Sequence, residues 1–173
     1  MTAQAVAINV GPDGRRASMG VTGHIGLAFD PTDEATAIAA VNGEHEGDEW
    51  LRHQTAFGLM RENFPALHAA LQRLVAADAS LAPLATAIIG DRVVGEGPAH
   101  PMCLYPADEV RLMAEAFARV GDAALERAIN EARDAAVEVG GWFPADVPEA
   151  FRRLRSEIAH VAANGWSLIA FMF

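Results

Sequence analysis

Leu104-Tyr105-Pro106-Ala107-Asp108-Glu109-Val110-Arg111-Leu112-Met113-Ala114-Glu115-Ala116-Phe117 reads as the end of an extended segment running straight into an amphipathic helix. Pro106 suits the first helical position, where its missing N–H would be an orphan donor anyway. Asp108 and Glu109 fall in the first turn, beside the positive end of the helix dipole. Val110, Met113, Ala114 and Phe117 recur at i, i+3, i+4 and i+7 and form one apolar stripe. Such a stripe requires a partner surface.

The chain downstream supplies one. Gly121 closes the helix and Asp122 caps another running to about Val139, with Leu125, Ile129, Ala132 and Ala136 inward. Gly140-Gly141 stops it ahead of Trp142-Phe143-Pro144. Asp146 caps a last helix, with Pro148 and Glu149 in its first turn, close to a capping box. Phe151, Leu154, Ile158, Val161 and Ala162 are its stripe. Asn164-Gly165 ends it, and Trp166 to Phe173 follows as a buried strand.

Upstream, Pro65 begins a helix carrying Leu67, Leu71, Leu74 and Val75. Ser80 and Pro83 open a short helix through Ile88 and Ile89, stopped by Gly90. Asp91 to Pro101, with Gly95, Gly97, Pro98 and Pro101, reads as a long loop. Trp50 to Phe64 is helical in tone around Leu51, Phe57, Leu59 and Met60, and Asn42 to Asp48 is a polar loop. Asp30-Pro31-Thr32-Asp33-Glu34 opens a helix to about Val41. Ala5 to Val10 and Met19 to Phe29 read as strands around the Gly11-Pro12-Asp13-Gly14 turn. The expected fold class is α+β, with several helices packed on a small mixed or antiparallel sheet that includes the C-terminal strand.

With 173 residues, 51% of them hydrophobic and 21% charged, the sequence fits a single globular domain with a real core. Its net charge of −10 comes from 23 acids against 13 basic residues, every one an arginine. The acidity is even: residues 1–86 carry 10 acids and 5 arginines, residues 87–173 carry 13 and 8. Such a field repels nucleic-acid phosphates and anionic membranes and attracts a basic protein. Cys103 is the single cysteine, so no internal disulfide is expected. No signal peptide is legible, and the apolar tract from Trp166 to Phe173 is too short to span a bilayer. A cytoplasmic protein is expected.

Several features recur in order along the C-terminal half. Pro83-Leu84 leads into Ala87-Ile88-Ile89-Gly90, and a glycine-rich loop follows. Leu104-Tyr105-Pro106-x-x-Glu109-Val110, an acidic helix, Phe143-Pro144 and a final helix, Gly165 and strand come next. From Ser80 to Phe173 this order resembles the YfbM-like family, a small bacterial domain of unknown function. Met19-Gly20-x-x-Gly23 is similar to the family's usual start, which would make residues 1–18 an extension. Tyr105 stands where the family commonly has a threonine able to cap the helix. Some relatives are encoded beside secreted toxins, so the resemblance implies an immunity role.

No catalytic constellation stands out, and no catalytic residue, metal or cofactor is assigned. Glu44, His45, Glu46, Asp48, Glu49 and His53 are dense in ligand types, but Glu49 occupies the place where a zincin helix needs its second histidine. A hydrated loop explains the cluster better. Gly20-x-x-Gly23-x-x-Gly26 matches neither a dinucleotide fingerprint nor a P-loop, and glycines easing a packed strand suffice. Cys103 and His100 flank Pro101 with no obvious geometry for a nucleophile and base. Asp108 with Glu109, and Asp146 with Glu149, lie where helix starts favour acids. Arg152, Arg153 and Arg155 read as a solvated face.

These readings favour a non-catalytic acidic protein-binding domain, with an immunity-type inhibitor of a basic toxin as its concrete form. Glu44, Glu46, Asp48, Glu49, Asp91 and Glu96 would dock the partner, and Trp142 and Phe143 would anchor it. The alternatives are a small-ligand-binding protein or enzyme with a pocket near residues 91–103, and a self-associating structural protein.

Overall fold

The computed structural model describes residues 23–43, 55–61, 64–96, 101–138 and 143–172. The expected strand at Ala5–Val10 with its turn, the acidic 44–49 stretch, His53, His100, Gly140-Gly141 and Trp142 lie outside the described residues.

Among the described residues, five strands form one sheet: β1 (Gly23–Phe29), β2 (Thr55–Arg61), β3 (Val93–Glu96), β4 (Pro101–Tyr105) and β5 (Ser167–Met172). Their order is β2-β1-β5-β4-β3, and every neighbouring pair is antiparallel. The C-terminal strand is thus the middle one. Its unbroken apolar run Leu168-Ile169-Ala170 is what a strand covered on both faces requires. The period of two sorts the side chains. Ala28, Cys103, Tyr105, Leu168 and Ala170 join the main helical core. Phe29, Met102, Leu104 and Ile169 face the other way, onto Ala37 of α1 (Glu34–Val41). The sheet is therefore the middle of three layers.

Four longer helices make the thicker layer: α2 (Phe64–Ala77), α3 (Ala107–Arg119), α4 (Asp122–Glu138) and α5 (Val147–Ala163). Helix α3 buries Val110, Met113, Ala116 and Phe117, and α5 buries Val147, Phe151, Leu154, Ile158 and Val161. The rings of Phe117 and Phe151 meet edge to face, with centroids 5.4 Å apart and planes at 65°. Helix α5 ends at Gly165, whose φ of 69° suits glycine far better than any residue with a Cβ. Its N–H donates to the Ala162 carbonyl and that of Trp166 to Val161. The chain reverses there into β5.

Two expected elements differ. Thr55–Arg61, within the Trp50–Phe64 stretch read as helical, is strand β2, paired along β1. Its partners step from Met60 opposite His24 to Gly58 opposite Ile25, so Leu59 is a bulged residue. A bulge breaks the period of two, which leaves an apolar pattern that imitates neither element cleanly. The Asp91–Pro101 loop contains β3, where Val93, Gly95 and Glu96 pair with β4 despite the surrounding glycines. Val94 is bulged in turn. Its carbonyl accepts from Asn42 Nδ2 at 3.1 Å, while the same amide bonds the Ile38 carbonyl at 2.9 Å. One side chain thus ties the end of α1 to the edge strand.

Boundaries also shift. The short helix at Ser80–Ile89 is a 3-10 segment over Ala79–Thr86, capped by Asp78, whose carboxylate accepts from Ser80 N–H at 2.9 Å. Pro106 is the N-cap of α3 rather than its first helical residue. Asp122 is the first residue of α4, with the Gly121 carbonyl accepting from Ala124 and Leu125. In α3, Ala116 is fully buried and Ala114 only partly so.

Two outcomes follow from this packing. Phe117→Ala should lower stability by about 3–5 kcal/mol, the range for truncating a fully buried aromatic, seen as an earlier urea midpoint. His68, half-buried on α2, has its Nδ1 enclosed with no hydrogen-bond partner among the described residues, and burial holds its pKa below the usual imidazole value. The folded state therefore favours neutral imidazole, so this contribution is intact above the unfolded imidazole pKa and is lost as pH falls below it. Urea titrations near pH 7 and pH 5 should show a smaller loss for His68→Leu than for the parent chain.

Candidate functional site

Tyr105 is the last residue of β4, and its side chain points into the helical layer. Its hydroxyl donates to the Thr86 carbonyl at 2.9 Å, and burial pushes its pKa up, so it stays a neutral donor. Cys103, two residues back on the same face, directs its thiol at the Gly90 carbonyl, 3.3 Å away. Gly90 lies so close that a Cβ there would sit 2.8 Å from Cys103 Cβ and 2.9 Å from Tyr105 Cζ. The strand end thereby holds the 3-10 segment and the 87–91 turn against the start of α3.

A cleft of about 210 Å³ opens at that junction. Pro83, Thr86, Leu112 and Met113 supply its body, and Asp91 and Glu109 bring carboxylates. Glu109 is half-buried in the first turn of α3. Its carboxyl is held above the usual range first by desolvation, then by the charges of Asp91 and Asp108, while Arg92 opposes them. Arg92 is itself paired with Glu34 of α1, Nη2 to Oε1 at 2.6 Å. The site is an acid-rimmed cleft with apolar walls. It can take up positive charge, and burial raises the pKa of the nearby Cys103 thiol, which keeps it protonated.

The docking residues expected from the sequence separate. Asp91 is on the cleft, and Glu96 lies on the edge strand β3. Glu44, Glu46, Asp48, Glu49 and Trp142 are outside the described residues. Phe143 is partly buried against the core, with the Arg133 guanidinium 5.7 Å from its ring centroid. Arg152 pairs with Glu149, and Arg155 stands 5.7 Å over the Phe151 ring. Gly23 and Gly26 lie within β1, as glycines easing a strand should. Sequence reasoning missed the meeting of Asp91 with Glu109. A helix start already explains Glu109, and nothing local links it to a residue across the β3–β4 hairpin.

No group of three or more His, Cys, Asp or Glu that could hold a metal ion occurs among the described residues. None of the described helices is long and apolar enough to cross a membrane. Gly90→Ala should destabilise the chain by roughly 1–3 kcal/mol, the cost of overpacking a filled core. The urea midpoint should fall with an unchanged m-value, and native Cys103 should resist iodoacetamide in both proteins.

No family model matches the sequence, and none of the curated proteins does. Among solved structures, the chain is similar to YfbM from Escherichia coli, described as a protein of unknown function. The two share 14% identity and superpose with a TM-score of 0.61 over 87% of this chain and 99% of that one. The likeness reaches well beyond the Ser80–Phe173 stretch that carries the sequence resemblance. At this identity it speaks to architecture alone. The three-layer arrangement around β5 is a YfbM-like fold.

Proposed function

We propose that this chain is a non-catalytic, acidic protein-binding domain, and that its concrete role is that of an immunity-type inhibitor covering the basic cleft of a toxin. The observation that carries the reading is the convergence of Asp91, Asp108 and Glu109 at one surface of a chain with net charge −10. Like charges brought together repel one another, and a cationic partner relieves that repulsion. The long-range field adds to this by steering a basic protein toward the surface. A bacterial cytoplasm is the setting this role calls for, where such an inhibitor protects the cell that makes the toxin.

The cleft is also the observation behind a second reading, a small-ligand-binding protein or enzyme with a pocket near residues 91–103. Its volume of about 210 Å³ lies below the roughly 300–1,000 Å³ common for small-molecule sites. We rank that reading second.

The test is capture by the tagged full chain from lysate of its own organism, at low and at high salt, read by mass spectrometry. A basic protein held at low salt and released at high salt is expected. Capture that ignores salt, or that retains no protein of positive net charge, would overturn the proposal.

A further inference from the structure

We infer that the cleft between the 79–86 segment and α3 receives one arginine side chain presented by a basic protein partner. This deepens the acidic-binding reading above and rests on it.

Shape and lining carry the inference together. Pro83, Leu112 and Met113 give apolar walls, and Leu112 is 42% exposed whereas Val110, Met113 and Phe117 of the same helix are buried. Asp91 and Glu109 stand at the same opening, and no cationic residue among the described ones lines it. A binding element that suits both features has an apolar stem and a positive head, which is the build of a long basic side chain. The size agrees: about 210 Å³ accommodates one extended side chain and is short of a typical metabolite pocket.

The head is better read as a guanidinium than as an ammonium or a metal ion. A planar fork of five donors can satisfy carboxylates from two separate elements at once, and it loses less hydration on entry. A divalent cation would need more ligands than the site offers, since no cluster of three metal-binding side chains occurs among the described residues. Arg92, the guanidinium that acts on Glu109, is itself paired with Glu34 at 2.6 Å.

Glu109 also fixes the pH response. The groups acting on it are Asp91 and Arg92 from the chain leading into β3 and Asp108 from its own helix. The 79–86 segment faces it with Pro83 and Thr86, which carry no charge. Burial and the two acids raise the pH at which Glu109 takes a proton. Arginine does not titrate in the working range, so binding should weaken as pH falls through the titration of Glu109.

The experiment uses the full chain, labelled with nitrogen-15, titrated with N-acetyl-arginine amide and, separately, with N-acetyl-citrulline amide, its neutral isostere. The arginine probe should move the amides of Asp91, Glu109 and Met113 saturably in the millimolar range, and the citrulline probe should not. Glu109→Gln and Asp91→Asn should each weaken the arginine probe several-fold. The Asp91 variant changes an exposed turn outside the helix, so a folding defect at Glu109 would not spoil the comparison. Absence of saturable shifts at the cleft, or equal shifts from citrulline, would overturn the inference. Salt-sensitive capture of a basic protein that ignores both variants would overturn it too, while leaving the broader acidic-binding reading in place. If the arginine probe binds but no basic protein is ever captured, the cleft chemistry stands and the inhibitor reading falls.

Discussion

The hydroxyl of Tyr105 on the Thr86 carbonyl is the contact that sets the rest of the molecule in place. It joins the end of a sheet strand to the 3-10 segment, while the ring beside it packs on Gly90 at a distance no other residue would permit. A buried phenol left without an acceptor would cost about 1–3 kcal/mol in desolvation, so the strand end and the segment are fixed together. The helix that follows leaves this junction at a defined angle and delivers Phe117 to Phe151, where α3 and α5 lock. Tyr105 lies one residue before the N-cap of α3, outside the capping position itself. The phenol serves a different partner, and the helix instead starts from Pro106, whose carbonyl accepts from Val110 N–H at 3.0 Å.

The sheet depends on the same junction. Alternation along β4 sends Cys103 and Tyr105 to the helical layer and Met102 and Leu104 toward α1, and neither face can be left to water. A central strand buried on both sides must come from a continuous apolar run, which the chain supplies at its last residues, Leu168 to Ala170. The long separation between β1 and β5 means that the sheet cannot close until α5 has turned the chain at Gly165. The short thin layer is held by α1 and pinned at its edge by Asn42, a contact between residues 42 and 94.

What could be read from the sequence was whatever the helical period and the caps dictate. Leu67, Leu71, Leu74, Leu125, Ile129, Phe151, Leu154 and Ile158 are all buried as their spacing requires. The α+β class, the C-terminal strand and the turn at Gly165 were legible for the same reason. The two misread stretches each contain a bulge, at Leu59 and at Val94. A bulged strand takes its identity from pairing across the sheet, and its own apolar pattern loses the alternation that announces a strand. The site was hidden in another way. Asp91 looked like a loop acid and Glu109 like a helix-start acid, and only the Tyr105 junction brings them to one cleft.

That convergence is more than a helix start alone produces. A single carboxylate in the first turn of a helix gains roughly 0.3–1 kcal/mol from the dipole, which explains Asp108 or Glu109 taken alone. It does not explain Asp91, which belongs to another segment and opposes the ionisation of Glu109. Nor does it explain why the neighbouring Arg92 is drawn aside to Glu34, when a pairing with Glu109 would have quieted the site. The helix dipole makes this accumulation of negative charge tolerable, and the Leu112 and Met113 wall gives it a desolvated floor. An arrangement that keeps charge unneutralised beside apolar surface serves stability poorly. On the binding role proposed above, its physical advantage is that a cationic group with an apolar stem can cover both.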